Sequence, residues 1–334
     1  MATLLKSASS TRAWFLNLNR ETRSVIVAYF LVVALIVFGG LLVTPNFFSP
    51  EFLLQQLREA SFLGIIAAGQ MLVILTGNID LSVSWTLNLA AVVATSIANG
   101  KNELLIPAVV IALLLGLLVG LINGIGVAYI RIPSMVLTLG TNTILMGILV
   151  IYTGAAPQFQ TTPELLTTVS TEVLWGLVPL AALVWLSVSI LIMILLHRSS
   201  LGRKIYAVGN NQVAAYLSGI RVPRVVVCVF MLSGVLNALA GLLIAGNAGR
   251  SFNEMDFAGK VFLLPAIAAV VIGGTSILGG SGKYIGTIGG VVMIRLLDSG
   301  LSIMQVSPAA RNIIFGLVIL LMLVLYGRSE KVRM

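Results

Sequence analysis

The chain has 334 residues, of which 58% are hydrophobic and 9% charged, a formal net charge of +9 and a mean hydropathy of +1.07. A soluble domain carries about 25% charged residues, so 20 basic and 11 acidic side chains cannot cover a soluble protein of this length. One cysteine, Cys228, excludes an internal disulfide, and one histidine, His197, leaves too few ligands for an N/S-ligated metal site.

In chain order, Arg12, Arg20 and Arg23 precede a first apolar run at 25–43. That run is longer than a signal-peptide core and has no small-x-small cleavage site. Residues 1–24 therefore read as a cytoplasmic segment, with Trp14-Phe15-Leu16 as a short helix on the membrane surface. Further runs follow near 60–77, 81–98, 104–129, 134–153, 174–196, 225–246, 261–278, 283–300 and 311–327. A bilayer helix needs about 20 mostly apolar residues, so the pattern predicts an all-α, polytopic membrane bundle of about ten helices. Ten crossings put both termini on one side. Arg131, Arg198, Arg203, Lys204, Arg221, Arg224, Lys283, Arg328, Lys331 and Arg333 then share the N-terminal side, against Arg58, Lys101, Arg250, Lys260 and Arg311 across the membrane. The positive-inside rule makes that side cytoplasmic. One domain, 25–327, carries a cytoplasmic loop at 197–224 and a tail at 328–334.

The apolar pattern is interrupted twice. At Thr76-Gly77-Asn78-Ile79-Asp80-Leu81-Ser82, Gly77 and Asn78 suit a left-handed helix end, and Asp80 or Ser82 suits the N-cap of the next helix. Capping alone accounts for Asp80; a carboxylate this close to the membrane also suits a gate beside a solute path. The second break, Gly273 to Lys283, includes Gly273, Gly274, Gly279 and Gly280. It is not a Walker A loop: position 277 is Ile where the motif needs Gly, and position 284 is Tyr where it needs Ser or Thr. The glycines suit a tight turn between helix ends. Gly116, Gly120 and Gly124, and likewise Gly282, Gly286 and Gly290, have the spacing of helix-packing ridges.

Polar residues within the runs are candidates either for a solute path or for bonds between helices: Gln70, Asn88, Asn123, Asn142 and Asn237. Asn78, Asp80 and Ser82 join them from the break. Arg295 and Asp298, three apart, are spaced to pair on one helix face. The loop contains a short helix, with Asn210 or Asn211 as N-cap, Gln212, Ala214, Ala215 and Ser218 within it and Gly219 as C-terminal cap. A helix so short is unstable alone. It must pack on its own bundle or under a partner.

Three motifs together resemble the permease subunits of ATP-binding-cassette importers for monosaccharides, the ribose, xylose, galactoside and autoinducer-2 type. The family's Gly-Gly-Ile-Asp-Leu-Ser-Val-Gly is similar to Gly77 through Ser84, with Asn78 and Ser84 in place of glycine. Its Gly-Arg-x-x-Tyr-Ala-x-Gly-x-Asn resembles the stretch from Gly202, and its Gly-Gly-Thr-Ser-x-x-Gly-Gly-x-Gly resembles Gly273 through Gly282. The resemblance covers about residues 45–327. It implies a subunit of the bacterial inner membrane without an enzymatic site or cofactor of its own. Separate ATPase subunits would dock on the loop helix near Asn211–Ser218, and a periplasmic or extracellular solute-binding protein would deliver a sugar to the outer loops. A second permease subunit, identical or paralogous, would complete the path. No nucleic acid is expected, and lipid surrounds the bundle. The competing reading is a stand-alone secondary transporter or channel, which also places broken helices at its site.

Overall fold

Lipid offers no hydrogen-bond partners, so a chain crossing it must close its backbone bonds within each helix. The computed structural model obeys this almost throughout; it describes residues 20–154, 161–249 and 258–327. The N-terminal segment as far as residue 19, with its Trp14 surface helix, and the tail 328–334 lie outside the described residues.

Helix α1 (Arg20–Phe38) continues into a π turn at Gly39–Val43 and a 3-10 turn at Pro45–Phe48. Helix α2 (Pro50–Leu75) begins ten residues before the expected span. Its start is set locally: the Ser49 hydroxyl accepts from Phe52 N at 3.3 Å, and Pro50 occupies the first turn, where no N–H is needed. After the first break come α3 (Val83–Ala98), α4 (Leu105–Ala128) and α5 (Ser134–Thr153). A short helix α6 (Glu164–Thr171) leads to a two-stranded hairpin, β1 (Val173–Leu174) and β2 (Val178–Pro179), where the sequence suggested the start of a span. Trp175 (φ 53°) and Gly176 (φ 69°) lie in its turn. With Leu174 opposite Val178, the loop is Trp175, Gly176 and Leu177, and the Leu177 N–H closes it on Leu174 O at 3.0 Å.

Helix α7 (Leu180–Arg198) enters the loop, which holds two helices rather than one: α8 (Ser200–Asn210) and α9 (Gln212–Leu217). Helix α10 (Val222–Ala248) follows, then α11 (Ala258–Ile272), the second break, α12 (Tyr284–Ile303) and α13 (Pro308–Gly327). Among the described residues, seven helices are long and apolar enough to cross a membrane. Three shorter apolar helices accompany them, Val83–Ala98, Phe262–Ile272 and Pro308–Val318.

Burial sorts the helices into centre and rim. The apolar window of α2 is 83% buried, against 17% for those of α1 and α5. Helix α2 is therefore the axis, packed by α7, α10, α11 and α12, while α1 and α5 give their apolar surface to the surroundings. The closest pairing joins α4 to α10, and small residues permit it. A Cβ on Gly116 would collide with the Gly234 carbonyl, and one on Gly120 with the Phe230 carbonyl. The second expected ridge needs correction. Gly282 (φ +149°) lies ahead of the helix that begins at Tyr284, so Gly286 and Gly290 alone form the ridge, against Gly273 and Ala269 of the preceding segment.

Candidate functional site

The two breaks are built alike. After α2, Gly77 N donates to Ile74 O (2.9 Å) and Asn78 N to Val73 O (3.3 Å), with Gly77 at φ +78°. After α11, Gly274 N donates to Val271 O (2.9 Å) and Thr275 N to Val270 O (3.2 Å), with Gly274 at φ +89°. Each is a Schellman cap, which satisfies the last carbonyls of a helix through one glycine in the left-handed region.

The breaks also touch each other, and α8 touches both. Gly280 N donates to Leu75 O at 3.0 Å. A Cβ on Gly209 would run into that same pair of atoms, and one on Gly280 would meet the Asn210 side chain. The Tyr206 hydroxyl donates to Gly282 O at 2.8 Å. The end of α8 thus rests on the junction of the two breaks. Sequence reading missed α8, although Leu201, Ile205 and Val208 repeat at helical spacing and the Ser199 hydroxyl caps Gly202 N at 3.0 Å.

Asp80 is 1% exposed. Its Oδ1 accepts from Ser82 N (2.9 Å) and the Ser82 hydroxyl (2.6 Å), and its Oδ2 from the Ser233 hydroxyl of α10 (3.2 Å). Asn123 Nδ2 of α4 donates to Ser82 Oγ (2.9 Å), and the Thr141 hydroxyl of α5 donates to Asn123 Oδ1 (2.6 Å). One network therefore ties the first break to α4, α5 and α10. The carboxylate serves the turn before α3 rather than the N-cap position itself, which Ser82 occupies.

Side chains of α5 hold the rest of the break. Ile79 N donates to Ser134 Oγ (3.2 Å), Leu81 N to Thr138 Oγ1 (2.9 Å) and Trp85 N to Asn142 Oδ1 (3.3 Å). These three acceptors recur every four residues, so they line one face of α5; they serve two N–H groups of the break, at Ile79 and Leu81, and one in the first turn of α3, at Trp85. Ser134 and Thr138 were not among the sequence candidates; their spacing with Asn142 is the signal that could have found them. Asn78 Nδ2 closes back on Thr76 Oγ1 at 3.1 Å. Gln70 is fully buried, and its amide has no hydrogen-bond partner among the described residues.

In the loop, Asn211 Oδ1 accepts from Ala214 N at 3.0 Å, and Gly219 (φ +81°) closes α9 with the same Schellman pattern. Ala215 is buried, whereas Gln212, Ala214 and Ser218 are exposed. Val213, Tyr216 and Leu217 are 68%, 70% and 79% exposed, so α9 presents large apolar side chains outward.

Far from the breaks, Arg295 Nη1 meets Asp298 Oδ2 at 3.1 Å, as the spacing predicts. The group is larger than a pair. Arg311 Nη1 reaches Asp298 Oδ1 at 3.0 Å, and Arg295 Nη2 lies 3.8 Å from Glu59 Oε2.

The described residues thus form a helical bundle with two glycine-capped helix breaks in mutual contact and a loop helix seated on them. The family described as the permease component of branched-chain amino acid transport systems matches residues 52–323. The chain belongs to this family of importer permeases of the ATP-binding-cassette type. It is 35% identical over 293 residues to the ribose import permease protein RbsC of Bacillus subtilis, covering 85% of this chain and 87% of that protein. RbsC of Escherichia coli K12 is 35% identical over 332 residues, 96% of each chain. The autoinducer 2 import system permease protein LsrC of Escherichia coli O9:H4 is 36% identical over 316 residues, 94% of this chain and 89% of that protein. No solved structure matches the chain. Family membership places the protein in the bacterial inner membrane as a multi-pass transport subunit and sets aside the stand-alone carrier.

Proposed function

We propose that this chain carries a monosaccharide or related small polar solute inward, paired with a second permease subunit and driven by separate ATPase subunits that dock on α9. The solute class follows the named cargo of the relatives, ribose and autoinducer 2. In this reading the seven long and three shorter apolar helices make ten crossings, and the basic loop around Arg203 and Lys204 is cytoplasmic. The domain is 25–327, with 197–224 as the coupling loop. The solute-binding protein delivers to the opposite face. The chain holds no nucleotide site, in keeping with Ile277 and Tyr284 at the Walker A positions.

The observation that carries the docking assignment is the outer face of α9. Three large apolar side chains, Val213, Tyr216 and Leu217, stand exposed on a helix of six residues that caps at both ends and anchors through Ala215. Such a helix needs a cover to be stable, and an exposed apolar patch rimmed by charge marks an interaction site. Behind it, α8 leads to Gly209 and both breaks, so a push on α9 reaches Leu75 and Gly280 through backbone contacts. Asn78, Asp80 and Ser82, with Asn123, act here as the clamp that fixes the first break; Asn142 steadies it from α5, and Gln70 lies behind it. Gly273, Gly274, Gly279 and Gly280 form the opposing half of the hinge.

Substituting Tyr216→Ala together with Leu217→Asp tests this. Both side chains are exposed, so the fold should change by no more than about 0.5 kcal/mol. The variant should insert and purify normally yet lose co-purifying ATPase. Retention of the ATPase at wild-type stoichiometry would remove α9 as the docking helix.

A further inference from the structure

Four charged side chains meet where three helices pack: Glu59 of α2, Arg295 and Asp298 of α12, and Arg311 of α13. Their formal charges cancel. Arg295 stands eight residues before Ile303 and Glu59 nine after Pro50, so each lies about 12–14 Å inside its helix end at 1.5 Å per residue. A charge set among apolar helices faces protein, water or headgroups rather than lipid tails.

These side chains are not sealed. They keep between 16% and 24% of their surface accessible, whereas Asp80, Ser82, Asn123 and Ser233 keep 1% or less. The polar network at the first break is closed within one protomer, whereas the quartet stays partly accessible. It also continues along α12. Ser299 is half-buried and Ser302 exposed; four and seven residues beyond Arg295, they share its face. The chemistry on that face is mixed. Carboxylate oxygens accept hydroxyl protons, and guanidinium N–H groups donate. The Nε atoms of Arg295 and Arg311 are buried without a partner among the described residues, so what this wall offers outward is its terminal Nη groups and carboxylate oxygens. Among the described residues, Glu59 Oε1 receives one long contact, 3.4 Å from Asn247 Nδ2.

We propose that Glu59, Arg295, Asp298 and Arg311, with Ser299 and Ser302, line a water-filled passage and offer its hydrogen-bonding wall to a neutral, polyhydroxylated solute. This rests on the importer reading and specifies where the solute passes in the half of the membrane away from the loop. Donors and acceptors alternate along the wall, which suits a sugar ring. Zero net charge gives neither cations nor anions a preference. A static ion lock would hold the same four residues together, but its remaining surface would be dry against a second subunit.

The test uses the complete importer in proteoliposomes, in a Cys228→Ser background, with Ser299→Cys and Ser302→Cys as separate variants and Leu114→Cys as an apolar-surface control. Leu114 is 56% exposed near the middle of α4. A membrane-impermeant, positively charged methanethiosulfonate reagent should label Cys at 299 or 302 at least tenfold faster than at 114. It should also cut ATP-driven uptake of D-ribose at least tenfold. Labelling at the control rate overturns the wet passage, and rapid labelling with unchanged uptake overturns its role in solute passage. Failure of the importer reading is seen separately, as no ATP-dependent uptake before the reagent is added; the labelling rates still decide whether the wall is wet.

Discussion

Replacing Asp80 with Ala and with Asn separates the shape of the first break from its charge. In Asp80→Ala the Ser82 N–H, the Ser82 hydroxyl and the Ser233 hydroxyl all lose their acceptor. The two bonds from Ser82 are local, and a buried donor left without its acceptor costs about 1–3 kcal/mol. The Ser233 bond crosses between helices at 3.2 Å, and such bonds in membrane proteins average only about 0.6 kcal/mol. The Ser82 hydroxyl still receives Asn123 Nδ2 and can turn elsewhere, so only part of its loss counts. The net cost is about 2–4 kcal/mol, dominated by the Ser82 N–H. In Asp80→Asn the amide oxygen still accepts from Ser82, and the Ser233 hydroxyl can rotate to accept from the amide nitrogen. That change should cost less than about 1 kcal/mol. Thermal unfolding of the purified permease in one detergent, followed by intrinsic Trp fluorescence, reads both. Ala should melt well below wild type and Asn close to it. Equal melting of Ala and wild type would refute the view that this carboxylate holds the break together.

Two further changes probe packing at the hinge and in the bundle. Gly209→Val places a side chain between Leu75 O and Gly280 N, so it should separate α8 from the breaks at a cost of about 1–3 kcal/mol. ATPase binding should survive while ATP-driven transport falls, measured by co-purification and uptake on one sample. Gly116→Leu should be worse, because the Gly234 carbonyl and Ala238 Cβ that it meets belong to a helix core with no free end. Loss of the monodisperse peak in size-exclusion chromatography would show this.

Some of this architecture was legible in the chain because its cause is local. Asn211 reads as a cap from its neighbours alone, and Arg295–Asp298 pairs through spacing on one helix. Glu59 and Arg311 could not be added to that pair, because only the packing of three helices brings them there. Gly282 misled for a related reason: its four-residue spacing to Gly286 crosses the start of α12, and spacing alone does not mark where helical geometry begins. The partners of the break were harder to read: the spacing of Ser134 and Thr138 with Asn142 marks a polar face on α5, but only packing sets what that face, and Ser233 of α10, bind. Helix α8 was missed because Gly202 and Gly209 within it read as loop residues; both are there for close approach, to the end of α7 and to the two breaks.

The deep burial of α2 has a bearing on how the protein is made. This helix leaves the ribosome early, yet α10 begins at residue 222 and α12 at residue 284. Translation at about 5–20 residues per second separates the end of α2 from the start of α10 by roughly 7–30 s. For that interval Gln56, Glu59 and Gln70 enter the membrane without the helices that later enclose them. Insertion machinery, water or α1 must shelter them until the second half arrives, so biogenesis of this chain depends on a waiting state as well as on its final packing.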